Sequence, residues 1–270
     1  MTPADRPPPP TIDAVVMAGG VPGPDDPLYP LTQGRPKALL EIGGRPMAQW
    51  VLDALSAATT IRRVVIAGLA PDQALALSCA RPWGAVADQG NLIDNLTAGA
   101  AWTLAQGAPP THVLAVSADI PLITGEMVDW NVRASLESDH DMYYSIIPAE
   151  VMERRFPGSR RTFFRLKEGR FTAGDLSLIR TEIFSGYHPA WRQIVDARKS
   201  LVKQAALVGW DTFLLVALGR LSLAWGQRRI RERLGMNGRV LISPYAEIGM
   251  DVDKPRQYEL LRRELERRPQ

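Results

Sequence analysis

The chain has 270 residues, of which 46% are hydrophobic and 23% charged, and a formal net charge of +3. That length and apolar content suffice for one large domain, or one domain with a sizeable insertion, and exclude a disordered protein; the slight basic excess suits phosphate-bearing ligands and gives no cause to expect nucleic acid. A single cysteine, Cys79, excludes an internal disulfide framework and a thiolate zinc knuckle, so a reducing cytosol is the expected compartment.

Residues 1–11 are proline-rich and read as a disordered tail. Residues 12–18 (IDAVVMA) read as a buried strand, and 46–58 as a helix with Pro46 in its first turn. Next come a strand at 62–69, a short helix at 71–80, a strand and loop at 84–90, and a helix at 91–106. Residues 111–122 give a fourth strand ending at Asp119; further strands are expected at 141–147, 176–180 and 239–243, and a last helix at 255–267. Short apolar runs that each feed a loop and a helical pattern imply βαβ units, hence an α/β fold with a doubly wound, Rossmann-like, mostly parallel sheet. No run reaches the roughly 18 apolar residues of a membrane span. The nearest, 213–225, is interrupted by Arg220.

In open sheets of this kind ligands sit beyond the carboxyl ends of the strands, so the loops after residues 18, 119 and 243 are where a site is expected. Gly19 and Gly20 follow the first strand directly. A side-chain-free turn there brings backbone amides to an anion or a base edge, although a plain connector would look the same. The turn is neither a dinucleotide fingerprint nor a Walker loop. Lys37, held by Pro36 and preceded by Arg35, offers a compact charge suited to phosphate oxygens; an exposed lysine is otherwise merely solvated. Asp119 ends an apolar strand before Ile120 and Pro121, where it either caps a turn or presents a hard oxygen to Mg²⁺. Asp251 and Asp253 precede Pro255, and Asp253 could equally cap the final helix.

These residues together carry a resemblance. MAGG at 17–20, followed by PLTQGRPKALLEIGGRPMAQWVLDAL at 30–55, resembles the opening of the nucleotidyltransferase family that makes nucleoside-diphosphate sugars, including its MobA-like, molybdenum-cofactor guanylyltransferase branch. The resemblance implies a sheet of the nucleotide-diphospho-sugar transferase type and Mg²⁺-dependent transfer of a nucleoside monophosphate from a triphosphate to a phosphorylated acceptor, with release of pyrophosphate. It implies that Ala18, Gly19, Gly20, Arg35 and Lys37 hold the triphosphate, and that Gly90, Asn95 and Gly99 line the base and ribose. Asp119 matches the magnesium aspartate of the family's D-x-P element, and Asp253, with Asp251 second, completes the metal site; Lys37, Asp119 and Asp253 are then the catalytic trio. Acceptor binding is expected from the basic run containing Arg161 and Arg165 and from the small-residue turn at Gly174 and Asp175. Two departures stand out. The stretch 21–30 lacks the family's usual arginine for the β and γ phosphates, and Gln257 and Tyr258 replace its usual Glu-Asp pair.

The expected organisation is a core at 12–184, a helical basic insertion at 185–238, and a strand and helix at 239–270 that complete the core. Residues 185–240 carry ten Lys or Arg against three Asp or Glu, with Trp191, Trp210 and Trp225 among helical repeats. Such a segment packs on the domain or forms a homodimer; the other reading is a surface that rests peripherally on anionic lipid, which would make the acceptor a phosphorylated lipid precursor. A nucleotide-binding regulatory protein with weakened catalysis is a further alternative, motivated by the missing loop arginine. His112, His140 and His188 have no convincing catalytic setting, and a phosphate acceptor, already ionised near neutral pH, needs no general base.

Overall fold

The computed structural model describes residues 11–107, 109–185, 193, 209, 215 and 218–267. Its centre is an eight-stranded sheet. Strands β1 (Ile12–Met17), β4 (Ile61–Ala67), β5 (Trp83–Val86) and β6 (His112–Ser117) run parallel, whereas β9 (Gly169–Arg180) lies antiparallel between β6 and β7 (Met142–Pro148). Strand β10 (Gly238–Ile242) pairs parallel to β7 at one edge, which makes the order β10-β7-β9-β6-β1-β4-β5, and β8 (Phe164–Leu166) pairs with β9 beside this path. A small hairpin of β2 (Glu41–Ile42) and β3 (Arg45–Pro46) stands apart.

Both faces of the parallel half are covered, which is why its strands are continuous apolar runs. On one face Ala14 and Val16 of β1 meet Leu52 and Leu55 of helix α2 (Met47–Ala57) and Val128 and Val132 of helix α5 (Gly125–Leu136). On the other, Val15 and Val65 pack against Leu96 and Ala100 of helix α4 (Leu92–Ala105). Helix α4 starts at Asn91, whose side chain accepts from the Asp94 amide, and α5 starts at Thr124, whose hydroxyl accepts from the Met127 amide. Asp129 of α5 accepts four hydrogen bonds of 2.6–3.1 Å from the amides and hydroxyls of Thr59 and Thr60, clamping α5 to the turn before β4.

The strand expected at 176–180 is the end of a longer one, because β9 begins at Gly169. Gly, Thr and Asp in GRFTAGD mask the β signal there, while pairing with β7 and β8 supplies the hydrogen bonds. The helix expected over 71–80 is four residues long, Pro71–Ala74 (α3). Short helices α1 (Tyr29–Thr32) and α6 (Ala149–Arg155) complete the core together with α5.

Of the basic segment expected over 185–238, the described part is mainly helix α7 (Leu223–Leu234), which packs on the sheet through Ile230 and Leu234 and exposes Arg228, Arg231 and Arg233. Trp191, Trp210 and His188, like the tail 1–10, lie outside the described residues. No helix among the described residues is long and apolar enough to cross a membrane. After β10 a 3-10 turn, Ala246–Gly249, leads through irregular backbone to helix α8 (Pro255–Glu266), whose Leu261 and Leu265 join Met250 and Val252 in a core cluster with Ile42, Met47 and Phe156.

Candidate active site

The ends of β1 and β6 open onto a cleft of about 390 Å³, lined among others by Ala18, Gly19, Gly20, Lys37, Asn95 and Asp119. Its floor is backbone. The Ala18 amide donates to the Ala67 carbonyl at 2.8 Å and the Ala118 amide to the Met17 carbonyl at 3.1 Å, so the turns after β1 and β6 leave the sheet side by side. Gly20 has φ of 120°, a conformation only glycine adopts without strain, and its carbonyl accepts from the Lys37 amide at 3.1 Å. That bond folds the proline-rich loop back so that Lys37, well beyond it in sequence, lies beside the glycine turn.

Lys37 then reaches two carboxylates. Its Nζ donates to Asp119 Oδ2 at 2.6 Å and to Asp253 Oδ1 at 2.7 Å. Burial disfavours the ammonium, but the charges and hydrogen bonds of Asp119 and Asp253 outweigh it and raise the lysine pKa above its ordinary value. The second oxygen of Asp119 accepts from Ser117 Oγ at 2.5 Å, which fixes the carboxylate's rotamer. Asp253 arrives from the far end of the chain by a backbone link, the Val252 amide donating to the Asp119 carbonyl at 3.0 Å. Asp251 also converges: one oxygen each from Asp119, Asp251 and Asp253 lie within 4.8 Å of one another. The two C-terminal aspartates, two positions apart on irregular backbone, share this focus. Lys254, not Asp253, is the N-cap of α8; the Asp253 amide instead donates to Gln257 Oε1 at 2.9 Å.

Beyond this cluster stand Arg161 and Asp175. The Arg161 guanidinium donates through Nη1 to Asp251 Oδ1. Asp175, on β9, has a buried Oδ2 with no hydrogen-bond partner among the described residues. Burial, joined by the charge of Asp119, pushes its carboxyl up to about 7. Gly174 beside it is buried against β7, where a Cβ would meet Ser145 Cβ and O at 3.0 Å.

The remaining expected residues separate by location. Gly90 lines the cleft. Asn95 does too, and its side chain is bonded at both ends: Nδ2 donates to Asp88 Oδ1 at 2.8 Å and Oδ1 accepts from the Gln89 amide at 2.7 Å. It braces the loop before α4 against Gly19, where a Cβ would fall 2.3 Å from Asn95 Nδ2. Gly99 lies deeper, where a Cβ would stand 2.4 Å from Val15 Cγ1; its missing side chain lets α4 approach β1 and contributes nothing to the cleft wall. Arg35 is exposed and donates from Nε to the Thr32 carbonyl at 3.3 Å, outside the cleft lining. Arg165 is exposed on β8 and packs its aliphatic stem on Gly219. Sequence reasoning passed over Asp88 and Ser117, which line the cleft with the α4 cap Asn91; the signal for both was their position at the carboxyl ends of β5 and β6.

A glycine turn, a lysine on paired carboxylates and a third acid from the chain's far end thus meet at the carboxyl edge of the sheet. The MobA-like NTP transferase domain matches residues 14–234. The chain belongs to the MobA-like NTP transferase family. As a member it is an enzyme, a nucleotidyltransferase by class. A solved structure described as a hypothetical transferase from Thermus thermophilus is 35% identical, with a TM-score of 0.76, covering 92% of this chain and 99% of its own. The fold also matches CMP:2-keto-3-deoxy-manno-octonic acid synthetase complexed with CTP, at 16% identity and a TM-score of 0.62 over 94% of this chain and 98% of that one. It matches a 2-C-methyl-D-erythritol 4-phosphate cytidylyltransferase, also from Thermus thermophilus, at 15% identity and a TM-score of 0.53 over 94% and 98%. A search of curated proteins finds no match. The family match ends at residue 234, so Asp251 and Asp253 reach this transferase's acid cluster from outside the matched segment.

Proposed function

We propose that this chain, with Mg²⁺, transfers a nucleoside monophosphate from a nucleoside triphosphate to a phosphorylated acceptor and releases pyrophosphate. The observation that carries this reading is Lys37 Nζ at 2.6 and 2.7 Å from Asp119 and Asp253, at the mouth of the glycine-floored cleft. Three carboxylate oxygens within 4.8 Å form a hard donor set that suits Mg²⁺. When bound, Mg²⁺ neutralises charge on the phosphate oxygens and the departing pyrophosphate.

The chain's own groups supply positioning. The amides around Gly19 and Gly20 face the triphosphate, Asn95 holds the loop that closes the base side, and Lys37 offsets phosphate charge at the reacting phosphorus. Ser117 keeps the Asp119 carboxylate aimed at the cluster. Arg161 and Asp175 form the acceptor side, with Gly174 letting β9 pack closely on β7 beside them. The acceptor phosphate attacks the α-phosphorus in line as pyrophosphate leaves, so no proton has to be removed by the protein. His112 agrees with that, since it opens β6 while Asp119 follows its other end, roughly 20 Å away at about 3.3 Å per residue.

The test is pyrophosphate release with a panel of triphosphates and phosphorylated acceptors. CTP heads the panel because two proteins of similar fold are named for cytidylyl chemistry or bound CTP. Release that depends on acceptor and on Mg²⁺, and is lost in Asp119→Ala, supports the reading. A second reading, a nucleotide-binding protein with weakened catalysis, draws on the absence of any arginine in residues 21–30 and on Arg35 standing outside the cleft. Triphosphate binding without turnover, unchanged by Asp119→Ala, would favour it.

A further inference from the structure

The acid cluster already has its full complement of positive partners. Lys37 bridges Asp119 and Asp253 at 2.6 and 2.7 Å, and Arg161 holds Asp251, so each of the three converging carboxylates is paired with a cationic side chain. An ammonium that bridges two carboxylates stands at the focus a divalent ion would need, and at such range two cations repel strongly. Three carboxylates against one lysine and one arginine leave a single net negative charge, a poor seat for a dication; with both side chains withdrawn the same oxygens carry three.

The two cations approach from different sides. Lys37 lies on the 3-10 turn Lys37–Leu39 and lines the cleft. Arg161 comes from the loop between α6 and β8, just after Arg160 with φ of 53°, and lines no part of that cleft. Its guanidinium is not used up by Asp251: Nε is buried and has no hydrogen-bond partner among the described residues. A planar fork with an unspent donor, next to the acid cluster and away from the glycine turn, is built to accept a second oxyanion.

We propose that Lys37 and Arg161 are exchangeable counter-ions of the Asp119, Asp251 and Asp253 cluster, which takes a divalent cation only as anions draw the two side chains away: a polyphosphate draws Lys37, and the oxyanion of the acceptor draws Arg161. This rests on the metal-dependent reading above and adds an order to it. The cation enters together with its anionic partner and does not wait in the site beforehand. Lys37 thereby has two stations, on the carboxylates and on the phosphates, and the same device on the opposite side makes Arg161 a positioning residue for the acceptor.

Direct binding of Mn²⁺ to the full chain, followed by electron paramagnetic resonance with no nucleotide or other polyanion in solution, tests this without any turnover. Lys37→Met and Arg161→Met, which keep length and remove charge, are each expected to bind Mn²⁺ at least about tenfold more tightly than the wild type, and Lys37→Arg to stay at the wild-type affinity. Lys37→Gln and Arg161→Gln replace either methionine variant that fails to fold, as judged by circular dichroism. Neutral variants that bind Mn²⁺ no more tightly than the wild type overturn the proposal, and a gain confined to one of the two positions overturns the assignment at the other. Pyrophosphate release by the wild type alongside unaltered variant affinities removes this inference and leaves the transfer reading standing. Tighter Mn²⁺ binding by the variants, with no pyrophosphate released by the wild type from any triphosphate, does the reverse.

Discussion

Asp119 is held from three directions, by Lys37 Nζ, by Ser117 Oγ and, through its carbonyl, by the Val252 amide. Asp119→Asn keeps the shape and the backbone link but removes the charge. The expected outcome is a loss of about 10²–10³ in kcat/KM for pyrophosphate release, with the thermal midpoint little changed. Asp129 belongs to stability alone. Burial works against its charged form, but the hydroxyls and amides of Thr59 and Thr60 outweigh that and hold its pKa below the ordinary aspartate value of 3.8. A depressed folded pKa gives stability that is complete above 3.8 and is lost as pH falls through the lower folded value. Asp129→Asn, which loses the charge-assisted bonds, is expected to cost about 2 kcal/mol at neutral pH and to flatten the acid limb of a denaturation-versus-pH curve. These residue-level roles were unevenly legible. Gly19, Gly20, Lys37 and Asp119 stood out because each follows a strand or a fixed Pro-Lys step, whereas the bracing bonds of Asn95 to Asp88 and Gln89, made by a residue that also lines the cleft, have no mark in the sequence.

Helix α4 and strand β1 pack through a gap made by Gly99, which the family resemblance places at the base and ribose. Gly99→Val would drive a branched side chain into Val15, whose Cγ1 lies 2.4 Å from where a Cβ would stand. The expected cost is about 1–3 kcal/mol by urea denaturation, together with weaker triphosphate binding as the helix carrying Asn95 shifts. Strands β1, β4 and β6 were readable because both faces are buried along their apolar stretches Ala14–Met17, Val64–Ala67 and Val113–Val116. The first half of β9 was not, because its pairing with β7 and β8, and not its own propensity, makes it a strand. Asp251 and Asp253 show a different limit: a spacing of two gives them a common direction on extended backbone, but their meeting with Asp119 depends on the path of the chain after the 3-10 turn Ala246–Gly249, which pattern alone does not mark.

Across the whole molecule, the sheet divides the work. Its parallel half carries the glycine turn and Asp119, and the mixed β9-β7-β10 half carries Asp175 on β9. The C-terminal segment ties the two. Met250, Val252, Leu261 and Leu265 fill a core cluster with Met47 and Phe156, each contributing about 1.5–3 kcal/mol of burial, so a chain cut after Tyr245 loses support comparable to a domain's entire stability. Such a truncation is expected to expose apolar surface and unfold below the wild-type midpoint, as read by dye binding and calorimetry.

The amide of Val252 on the carbonyl of Asp119 joins positions far apart in synthesis. Translation must pass residue 253 before the proposed acid cluster can assemble, although the glycine turn and its lysine have long been made by then. On that proposal a premature stop or a C-terminal nick leaves no half-working catalyst, and whether the tail has come home is the first thing to ask of a silent preparation.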